Sequence, residues 1–297
     1  MQQIAEGIQG EVESFVLVAQ ERGRAYTKVV RGVPVYYAKS LGVVASLPIS
    51  WDLVRYLCKH AAEYDVIHLH MPFPLGDLAC FLSGFKGKLI LYWHSDIVRQ
   101  KKSMVFYKPL MNWTLKRADA IAIATQENID GSPYVKPFEN KCVLIPFGLR
   151  KEWDEKSDRY WIKRTDISEE ENSGVLRLLF IGRFVYYKGC DILISAMEKI
   201  KTEFLEDMKD IRLTMVGSGV LEEELKQRVQ NSGLNENVEF VGKISDDMLE
   251  EEIRQCQVLV FPSIANSEAF GLVQLEAMAF GKPVINTSLA TGFRGLA

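Results

Sequence analysis

Residues 258–286, VLVFPSIANSEAFGLVQLEAMAFGKPVIN, contain the pattern that decides the fold. A short apolar run, Val258–Phe261, leads through a polar loop to a segment of helical length, Phe270–Phe280, and then to a second short apolar run, Val284–Asn286. A strand, a helix and a further strand in this order are typical of a βαβ unit, whose two strands are parallel. The stretch therefore predicts an α/β fold with a parallel sheet.

The same alternation continues through most of the 297 residues and forms two open α/β domains. In the first half the predicted strands are Ser14–Val18, Val66–His70, Leu89–Trp93, Ile121–Ala124 and Cys142–Ile145, with helices at Trp51–Ala62, Leu75–Leu82 and Val105–Arg117. In the second half the other predicted strands are Leu176–Ile181, Arg212–Val216 and Val238–Val241, with helices at Cys190–Ile200, Leu221–Asn231 and Asp246–Gln255.

A charged segment separates the two patterns. Residues 151–174 are rich in charge and lack apolar periodicity, so we expect a solvated linker between a domain at residues 1–150 and a domain at residues 175–297. Residues 1–10 resemble the second half of a helix with no strand before it, and the last residues follow an apparent strand. These abrupt ends predict a fragment cut at both ends.

Composition narrows the class of protein. The apolar share is 47% and the charged share 25%, which is typical of a soluble folded protein. The formal net charge of −3 argues against a general nucleic-acid binder. Residues 1–150 nevertheless carry 18 basic and 13 acidic side chains, whereas residues 151–297 carry 18 and 26. An anionic partner should therefore favour the first half.

Cysteine and histidine usage argues against a metal site. The five cysteines are scattered and never spaced as CxxC, so zinc and redox motifs are absent and a reducing cytoplasm is expected. His68 and His70 alternate along a predicted strand, which favours packing over metal ligation. The sequence has neither an apolar run long enough to span a membrane nor a leader, so we expect a cytoplasmic protein that is at most peripheral.

Open parallel sheets bind ligands at the carboxyl ends of their strands. After the predicted strand Leu176–Ile181, two glycines and two cations, Gly182, Arg183, Lys188 and Gly189, precede a helix. Glycine lets a ligand approach the backbone, and Arg and Lys together can neutralise a diphosphate at a helix N-terminus. The alternative is a solvated turn with incidental charge.

The next two strands also end in informative residues. Gly217 and Gly219 form a tight turn before a helix, which is a weak signal by itself. Glu268 lies in a loop and Glu276 eight residues later in a helix, so the two carboxylates stand about 12 Å apart along the axis. That spacing is too wide for a glycosidase pair but suits hydroxyl recognition at two points of one ligand. The alternative is that Glu268 only complements the helix dipole and that Glu276 is exposed.

Four segments of the second half, taken in order, resemble the donor-binding domain of the retaining GT-B glycosyltransferases of glycosyltransferase family 4, group 1. They are GRFVYYKG (182–189), VGSG (216–219), FPS (261–263) and SEAFGLVQLEAMAFGKPVI (267–285). Segments of the first half support the resemblance: DVIHLHMPFPLGDL (65–78), LYWHSDIVRQK (91–101), RADAIAIAT (117–125) and VLIPFGL (143–149).

The resemblance implies a role for several side chains. Glu268 would contact the transferred sugar and Glu276 the ribose of the nucleotide, while Arg183 and Lys188 would hold the diphosphate. The expected backbone contacts to phosphate, sugar or base come from Gly182, Gly217, Gly219, Gly242, Ala269, Phe270, Gly271 and Leu272.

In the first domain, the resemblance makes His94 the residue that faces the reacting sugar. A histidine packed in the core is the alternative. Asp96 would orient that imidazole, meet a sugar hydroxyl or cap the following helix. The sequence around both residues, HSDIVRQK (94–101), resembles that of bacterial mannosyl- and rhamnosyltransferases of surface polysaccharide synthesis.

The resemblance implies two Rossmann-like domains that face each other across a cleft. The expected reaction is transfer of a hexose to a saccharide or lipid-linked saccharide acceptor, with retention at the anomeric carbon. The favoured hexose is mannose, with GDP-mannose as the donor. Cations and helix N-termini would stabilise the departing diphosphate, so no metal and no cofactor are expected, and the sequence has no DxD motif. The favoured mechanism is attack by the acceptor on the same face of the sugar that the diphosphate leaves. Family members also have an additional first strand with a glycine-rich loop and further elements after residue 286.

Residues 99–108 interleave cations with aromatic side chains and are followed by Trp113, Lys116 and Arg117. This composition suits an anionic membrane surface that presents a lipid-linked acceptor, or equally a basic solvated helix with a buried aromatic face. RNA binding fits less well because no aromatic platform motif accompanies the patch.

Other functions stay open. A GT-B sugar-nucleotide 2-epimerase would consume the donor without an acceptor, and an inactive sugar-nucleotide-binding module would bind nucleotide without turnover. A Rossmann dehydrogenase fits poorly, because no GxGxxG motif follows a predicted strand.

Overall fold

Two parallel sheets, one in each half of the chain, form the framework of the structure. The chain divides into two compact units, Met1–Pro146 and Phe147–Ala297. This division lies four residues before the boundary expected at residue 150. The computed structural model describes residues 2–44, 47–97, 101–163, 174–264 and 271–288.

The first unit contains a four-stranded parallel sheet with strand order β6-β7-β8-β9. Its strands are β6 (Val66–Met71), β7 (Lys88–Trp93), β8 (Ala120–Ile123) and β9 (Cys142–Leu144). Its helices are α1 (Gln2–Gly7), α2 (Trp51–His60), α3 (Pro74–Ser83), α4 (Lys101–Arg117) and α5 (Gln126–Asp130), with 3₁₀ turns at Ala61–Glu63 and Lys136–Lys141. The four predicted strands of this sheet are confirmed to within one residue at each end.

A second, smaller sheet in the first unit corrects the expectation of a single open sheet there. Its strands are β1 (Val16–Ala19), β2 (Tyr26–Val30) and β3 (Val33–Ala38), in the order β1-β3-β2, and a short hairpin follows at β4 (Val43–Val44) and β5 (Leu47–Pro48). Arg31 and Gly32 join β2 to β3, and both have positive φ angles, 47° and 86°. That geometry matches the twist of an antiparallel pair, and it explains why a two-residue connection is enough here.

The four-stranded sheet has one apolar and one mixed face. Leu69, Met71, Leu91 and Trp93 are buried in the same apolar cluster as the inner faces of α2, α3 and α4. Because side chains alternate along a strand, the residues between them point to the opposite face. The second face therefore carries His68, His70 and Tyr92.

A buried carboxylate links α3 to α4. Asp77 is fully buried, and its Oδ2 accepts a hydrogen bond from the Tyr107 hydroxyl. Burial raises the pKa of Asp77 to about 6, although the hydrogen bond from Tyr107 opposes that shift. This contact fixes the position of α4, the helix of the basic and aromatic segment, against α3.

The second unit contains a five-stranded parallel sheet with strand order β12-β11-β10-β13-β14. Its strands are β10 (Leu176–Ile181), β11 (Ile211–Val216), β12 (Val238–Gly242), β13 (Val258–Phe261) and β14 (Val284–Asn286). Its helices are α6 (Lys151–Lys163), α7 (Cys190–Glu203), α8 (Leu205–Met208), α9 (Glu222–Asn231), α10 (Asp246–Gln255) and α11 (Leu272–Ala279), with a 3₁₀ turn at Tyr186–Lys188. The predicted α/β class with parallel sheets is confirmed.

The prediction of a linker at residues 151–174 is wrong for residues 151–163, which form α6. Trp153 is only 1% exposed and lies edge-on to Phe280, with the ring centroids 6.1 Å apart. Lys156 forms ion pairs with Asp247 and Glu250 of α10 at 2.9 and 3.1 Å. One buried tryptophan and the two ion pairs of Lys156 attach this helix to the second unit, although its sequence is mostly polar. Residues 164–173 lie outside the described residues.

The longest described helix, α4, has 17 residues. None of the described helices is both long and apolar enough to cross a lipid bilayer.

Replacing Trp153 tests whether α6 is part of the second unit. We expect Trp153→Ala to lower the free energy of unfolding by about 3–5 kcal/mol, because it leaves a large cavity against Phe280. Ile162→Ala, in the same helix at an 80% exposed position, should change it by less than about 0.5 kcal/mol. Urea unfolding of both variants measures the difference, and equal effects would contradict the packing role.

Candidate functional site

The carboxyl ends of β10 and β11 lie side by side in the second unit. The two strands pair in register from Leu176 with Ile211 to Ile181 with Val216, and the pairing extends into the loops. A Cβ atom added at Gly217 would lie 1.9 Å from the carbonyl oxygen of Gly182. Close approach of these two strand ends is therefore sufficient reason for glycine at Gly217, whether or not a ligand is present.

Gly219 and Gly242 also lie at this edge. A Cβ at Gly219 would lie 2.3 Å from the carbonyl oxygen of Phe184, and the Phe184 amide donates to the carbonyl of Ser218 at 3.0 Å. Gly242, with φ of +79°, accepts a hydrogen bond from the Gly217 amide at 2.8 Å. The glycines expected at the ligand site thus share one continuous strip of backbone, and their contacts with a ligand stay a prediction.

Arg183 and Lys188 come together around a single tyrosine. The Arg183 guanidinium donates to the Tyr187 hydroxyl and lies 5.8 Å from the centre of its ring. Lys188 Nζ lies 5.8 Å from the same ring and 5.0 Å from the ring of Phe261. Both cations predicted to meet a diphosphate therefore lie beside the end of the central strand β10, before α7 begins.

The loop after β13 packs against the loop after β10. Gly189 has φ of +67°, and a Cβ there would lie 2.0 Å from the carbonyl oxygen of Pro262. The Ile264 amide donates to the carbonyl of Tyr187 at 2.8 Å. These contacts place residues 262–264, which come before Glu268 in the chain, next to the loop that carries the two cations.

Residues 265–270 lie outside the described residues, so Glu268, Ala269 and Phe270 have no position here. The described part resumes at Gly271, whose φ of +65° precedes Leu272, the first residue of α11. A Cβ at Gly271 would lie 2.5 Å from the Phe261 ring, so glycine is required here on steric grounds as well. Roles for Gly271 and Leu272 in binding stay predictions.

Glu276 is 8% exposed and forms an ion pair that the sequence did not indicate. Its Oε1 accepts a hydrogen bond from Arg150 Nη2 at 3.1 Å, and Arg150 Nη1 lies 3.3 Å from Asp246 Oδ2. Burial raises the pKa of Glu276, and the Arg150 charge opposes that shift. The carboxylate is thus buried within an apolar helix and in contact with a cation, so the alternative that Glu276 is exposed to solvent is wrong.

Gln274, two residues before Glu276, is a further buried polar group. It is 1% exposed, and its Oε1 accepts a hydrogen bond from Asn286 Nδ2 at 3.2 Å. Its Nε2 has no hydrogen-bond partner within the described part of the chain. An amide donor without a partner, in the first turn of α11, is suited to an oxygen atom of a ligand.

His94 follows β7 directly in the first unit and pairs with another histidine rather than with Asp96. His94 Nε2 lies 2.7 Å from His70 Nδ1. Asp96 Oδ1 instead accepts hydrogen bonds from Trp93 Nε1 at 3.1 Å and Ser132 Oγ at 2.7 Å. Asp96 therefore holds the segment after β7 against Ser132, and the expectation that it orients the His94 imidazole is wrong.

Burial makes both histidines weak bases. It lowers the pKa of His94 to about 4 and that of His70 to about 3, and the neighbouring imidazole adds to the shift of His70. Both rings are therefore neutral at physiological pH. Among the described residues, no three His, Cys, Asp or Glu side chains form a group able to hold a metal ion.

Two contacts, Arg150 with Glu276 and His70 with His94, were not predicted from the sequence. Arg150 and Glu276 are 126 positions apart, and nothing near Arg150 indicates a partner. His70 carried a signal, since it alternates with His68 on a strand whose neighbour ends at His94. The alternation predicts packing, and the stacked rings are packed, but the hydrogen bond to His94 follows only from the pairing of β6 with β7.

Comparison with known proteins covers most of the chain. Residues 1–129 match the family model described as Glycosyltransferase Family 4, and residues 162–297 match Glycosyl transferases group 1. The chain is 33% identical over 261 residues to O-antigen chain mannosyltransferase C of Escherichia coli, covering 87% of this chain and 66% of that protein.

A second relative has a related name. The chain is 33% identical over 251 residues to D-rhamnosyltransferase WbpZ of Pseudomonas aeruginosa, covering 84% of this chain and 62% of that one. The chain thus spans about two thirds of the length of these curated relatives. Among solved structures, Anabaena HepE in complex with UDP matches with a TM-score of 0.65 and 20% identity, over 90% of this chain and 70% of that chain.

Removing Arg150 tests whether it compensates the buried charge of Glu276. We expect Arg150→Met to lower the free energy of unfolding by about 2–3 kcal/mol at pH 8, because it leaves an unpaired carboxylate in an apolar helix. The pKa of Glu276 is raised in the folded state, so ionisation above that pKa destabilises the fold, and the loss should shrink at pH 5. Urea unfolding at both pH values measures it.

Two further variants control this measurement. Glu276→Gln in the Arg150→Met background should recover at least half of the loss, since it removes the buried charge. Asp246→Asn, which removes the exposed partner of Arg150, should cost less than about 1 kcal/mol. A cost equal to that of Arg150→Met, or no recovery in the double variant, would contradict the assignment.

Proposed function

We propose, from the premise that this chain belongs to the glycosyltransferases of group 1 and family 4, that it takes part in transfer of a hexose from a nucleoside diphosphate sugar to an acceptor hydroxyl. The observation that carries the proposal is the grouping of Arg183 and Lys188 around Tyr187 beside the end of the central strand. The names of two relatives, an O-antigen chain mannosyltransferase and a D-rhamnosyltransferase, favour GDP-mannose as the donor and a saccharide acceptor.

The departing diphosphate is the charge that the site has to stabilise. Two fixed cations beside a helix that starts at Cys190 supply positive potential without reorganisation during the reaction. Neither a metal nor a cofactor is required for this step, and the sequence has no DxD motif that would hold a divalent ion between carboxylates. We therefore propose metal-independent transfer with retention, by same-face attack of the acceptor.

The nucleotide side of the proposal rests on Glu276. Arg150 bonds to one carboxylate oxygen and keeps the group in place in a buried position. The second oxygen is the acceptor that we assign to a ribose hydroxyl, since a carboxylate accepts two or more hydrogen bonds. Glu268 is assigned to the transferred sugar by its position in the E(x7)E spacing. His94, which is neutral, is assigned to a sugar hydroxyl.

A nucleotide panel tests the donor site first. Thermal unfolding with GDP, UDP, ADP and their sugar conjugates, without divalent metal, should show the largest stabilisation with GDP compounds. At 100 times its dissociation constant a ligand adds about 2.7 kcal/mol to the free energy of unfolding. A preference for UDP compounds would contradict the mannose assignment, and the absence of any response would contradict a donor site in this chain.

The two glutamates should separate binding from turnover. We expect Glu268→Gln to lower kcat about tenfold or more with nucleotide affinity changed less than about threefold, since a sugar contact acts in the transition state. Glu276→Ala should instead weaken nucleotide binding about tenfold through loss of the ribose contact. Calorimetry and transfer assays measure the two quantities, and equal effects of both variants on both quantities would contradict the assignment.

Two alternative functions predict different products. A 2-epimerase would consume sugar nucleotide at the same rate with and without acceptor, whereas transfer requires the acceptor. An inactive binding module would show nucleotide stabilisation with no release of nucleoside diphosphate. Product analysis with and without a mannose-containing acceptor therefore separates all three.

A surface on α3 and α4 supports contact with a membrane that carries a lipid-linked acceptor. Phe106 is 87% exposed, Val105 is also exposed, and Phe81 packs edge-on against Trp113 with centroids 5.0 Å apart. The sequence of α4 contains five basic and no acidic residues. Exposed aromatic groups beside lysines are typical of surfaces that bind anionic lipids, and we propose this role for the surface.

Vesicle binding tests the membrane contact. We expect cosedimentation with phosphatidylglycerol-rich vesicles but not with phosphatidylcholine vesicles, and Phe106→Ser or Lys108→Glu should weaken it about tenfold. Val220→Ser, at an equally exposed apolar position of the second unit, is the matched control and should leave binding unchanged. Equal binding to both vesicle types, or equal loss in the control, would rule the surface out.

A further inference from the structure

Four ring side chains form a continuous stack on the less apolar face of the four-stranded sheet. They come from β6, from β7 and from the residue after β7: His68, His70, Tyr92 and His94. Centroid distances are 4.9 Å between His68 and His70, 5.7 Å between His70 and Tyr92, and 4.8 Å between Tyr92 and His94. His70 and His94 are themselves stacked at 5.0 Å with an interplanar angle of 14°.

Two hydrogen bonds anchor the end of the stack that Tyr92 and His94 form. Tyr92 is 3% exposed, and its hydroxyl donates to the carbonyl of Ile145 at 2.8 Å. The His94 amide donates to the carbonyl of Met71 at 3.0 Å, which continues the pairing of β6 with β7 by one residue. The backbone at His94 is therefore fixed against β6, and the hydrogen bond between the two imidazoles sets the His94 ring against His70.

The contact of His70 with His94 is a hydrogen bond between two neutral imidazoles. At neutral pH each ring carries one N–H and one lone pair, so the pair of Nδ1 of His70 and Nε2 of His94, 2.7 Å apart, contains a single proton. Two arrangements are compatible with one proton. Either His94 Nε2 donates to His70 Nδ1, or His70 Nδ1 donates to His94 Nε2.

Tautomer energies favour the first arrangement. When His94 Nε2 donates, both rings are protonated on Nε2, which is the preferred tautomer of a free neutral histidine side chain. When His70 donates, both rings are protonated on Nδ1, the less stable form. Since the bond itself is the same in the two cases, the intrinsic preferences of both rings add in favour of donation by His94.

We propose that His70 is a positioning residue, which fixes the ring plane of His94 and keeps its proton on Nε2. The lone pair of His94 is then on Nδ1, so this nitrogen accepts a hydrogen bond and cannot donate one. A group recognised by Nδ1 must offer a proton, as a sugar hydroxyl does. This inference rests on the proposed function, which assigns His94 to a sugar hydroxyl, and it adds the direction of that hydrogen bond and the residue that sets it.

Nitrogen NMR measures the tautomer without any reaction. In protein labelled with ¹⁵N-histidine, long-range ¹H–¹⁵N spectra distinguish a protonated ring nitrogen from one with a lone pair, and variants of the four histidines assign the signals. We expect His94 at pH 7.5 to show a protonated Nε2 and an unprotonated Nδ1. A protonated Nδ1 on His94 would overturn the proposal. This result does not depend on transfer activity, so it can fail or succeed separately from the proposed function.

Kinetics with matched variants test the role of His70. His70→Phe keeps a stacking ring but removes the acceptor, and we expect kcat to fall about tenfold or more, with the donor KM changed less than about threefold. His70→Asn restores an acceptor oxygen near the place of Nδ1 and should recover most of that loss and return the Nε2–H signal of His94. His68→Phe, a change in the same stack at a residue that is not bonded to His94 in the described structure, should leave kcat within about twofold.

Two outcomes would overturn the positioning role. One is full activity in His70→Phe, and the other is an equal loss in His70→Phe and His70→Asn. Nucleotide-dependent thermal stabilisation of each variant shows that the protein still folds and binds donor. If the wild-type chain shows no transfer with any donor while His94 has the expected tautomer and loses it in His70→Phe, the proposed function fails and the tautomer assignment stands.

Discussion

Parallel pairing of strands in register is the constraint on which both candidate sites depend. Each backbone hydrogen bond between neighbouring parallel strands places their carboxyl ends at the same edge of the sheet. In the second unit this pairing brings Gly217 so close to Gly182 that a side chain at Gly217 would clash with the Gly182 carbonyl. In the first unit it places His70, on one strand, beside His94, just after the next. The chemistry of each unit is therefore gathered by backbone pairing, before any side-chain contact is considered.

The two gathered sets of side chains differ in charge. The second unit presents two cations: Arg183 is exposed to solvent, and Lys188 is half-buried against aromatic rings. The first unit presents imidazoles that burial keeps neutral. Phosphate oxygens are stabilised by positive charge, whereas hydroxyl groups need directional acceptors and donors, so the two sets of side chains suit different chemical groups.

Sequence patterns predicted the elements of the second unit closely and its long-range contacts not at all. The bounds of β10, α10, β13 and β14 are those expected, because each is an isolated apolar or amphipathic run between polar turns. The helix at residues 151–163 was missed because few of its residues are apolar and its attachment depends on Trp153. Arg150 could not be paired with Glu276 from the sequence, since only the folded sheet brings α11 next to the start of α6. His70 could be placed on a strand, but its register with β7 was unknown.

The pairing of Arg150 and Trp153 with α11 also has a consequence for the order in which the second unit folds. During synthesis Arg150 leaves the ribosome about 126 residues before Glu276 does. Until then the charged helix α6 has no aromatic or carboxylate partner from α11, and only the later closure of this long loop completes the core around Phe280. Long-range closure of this kind slows folding and leaves apolar surface exposed during translation. Among residues 151–163, Trp153 is the one apolar side chain that is fully buried, so its burial depends on that closure.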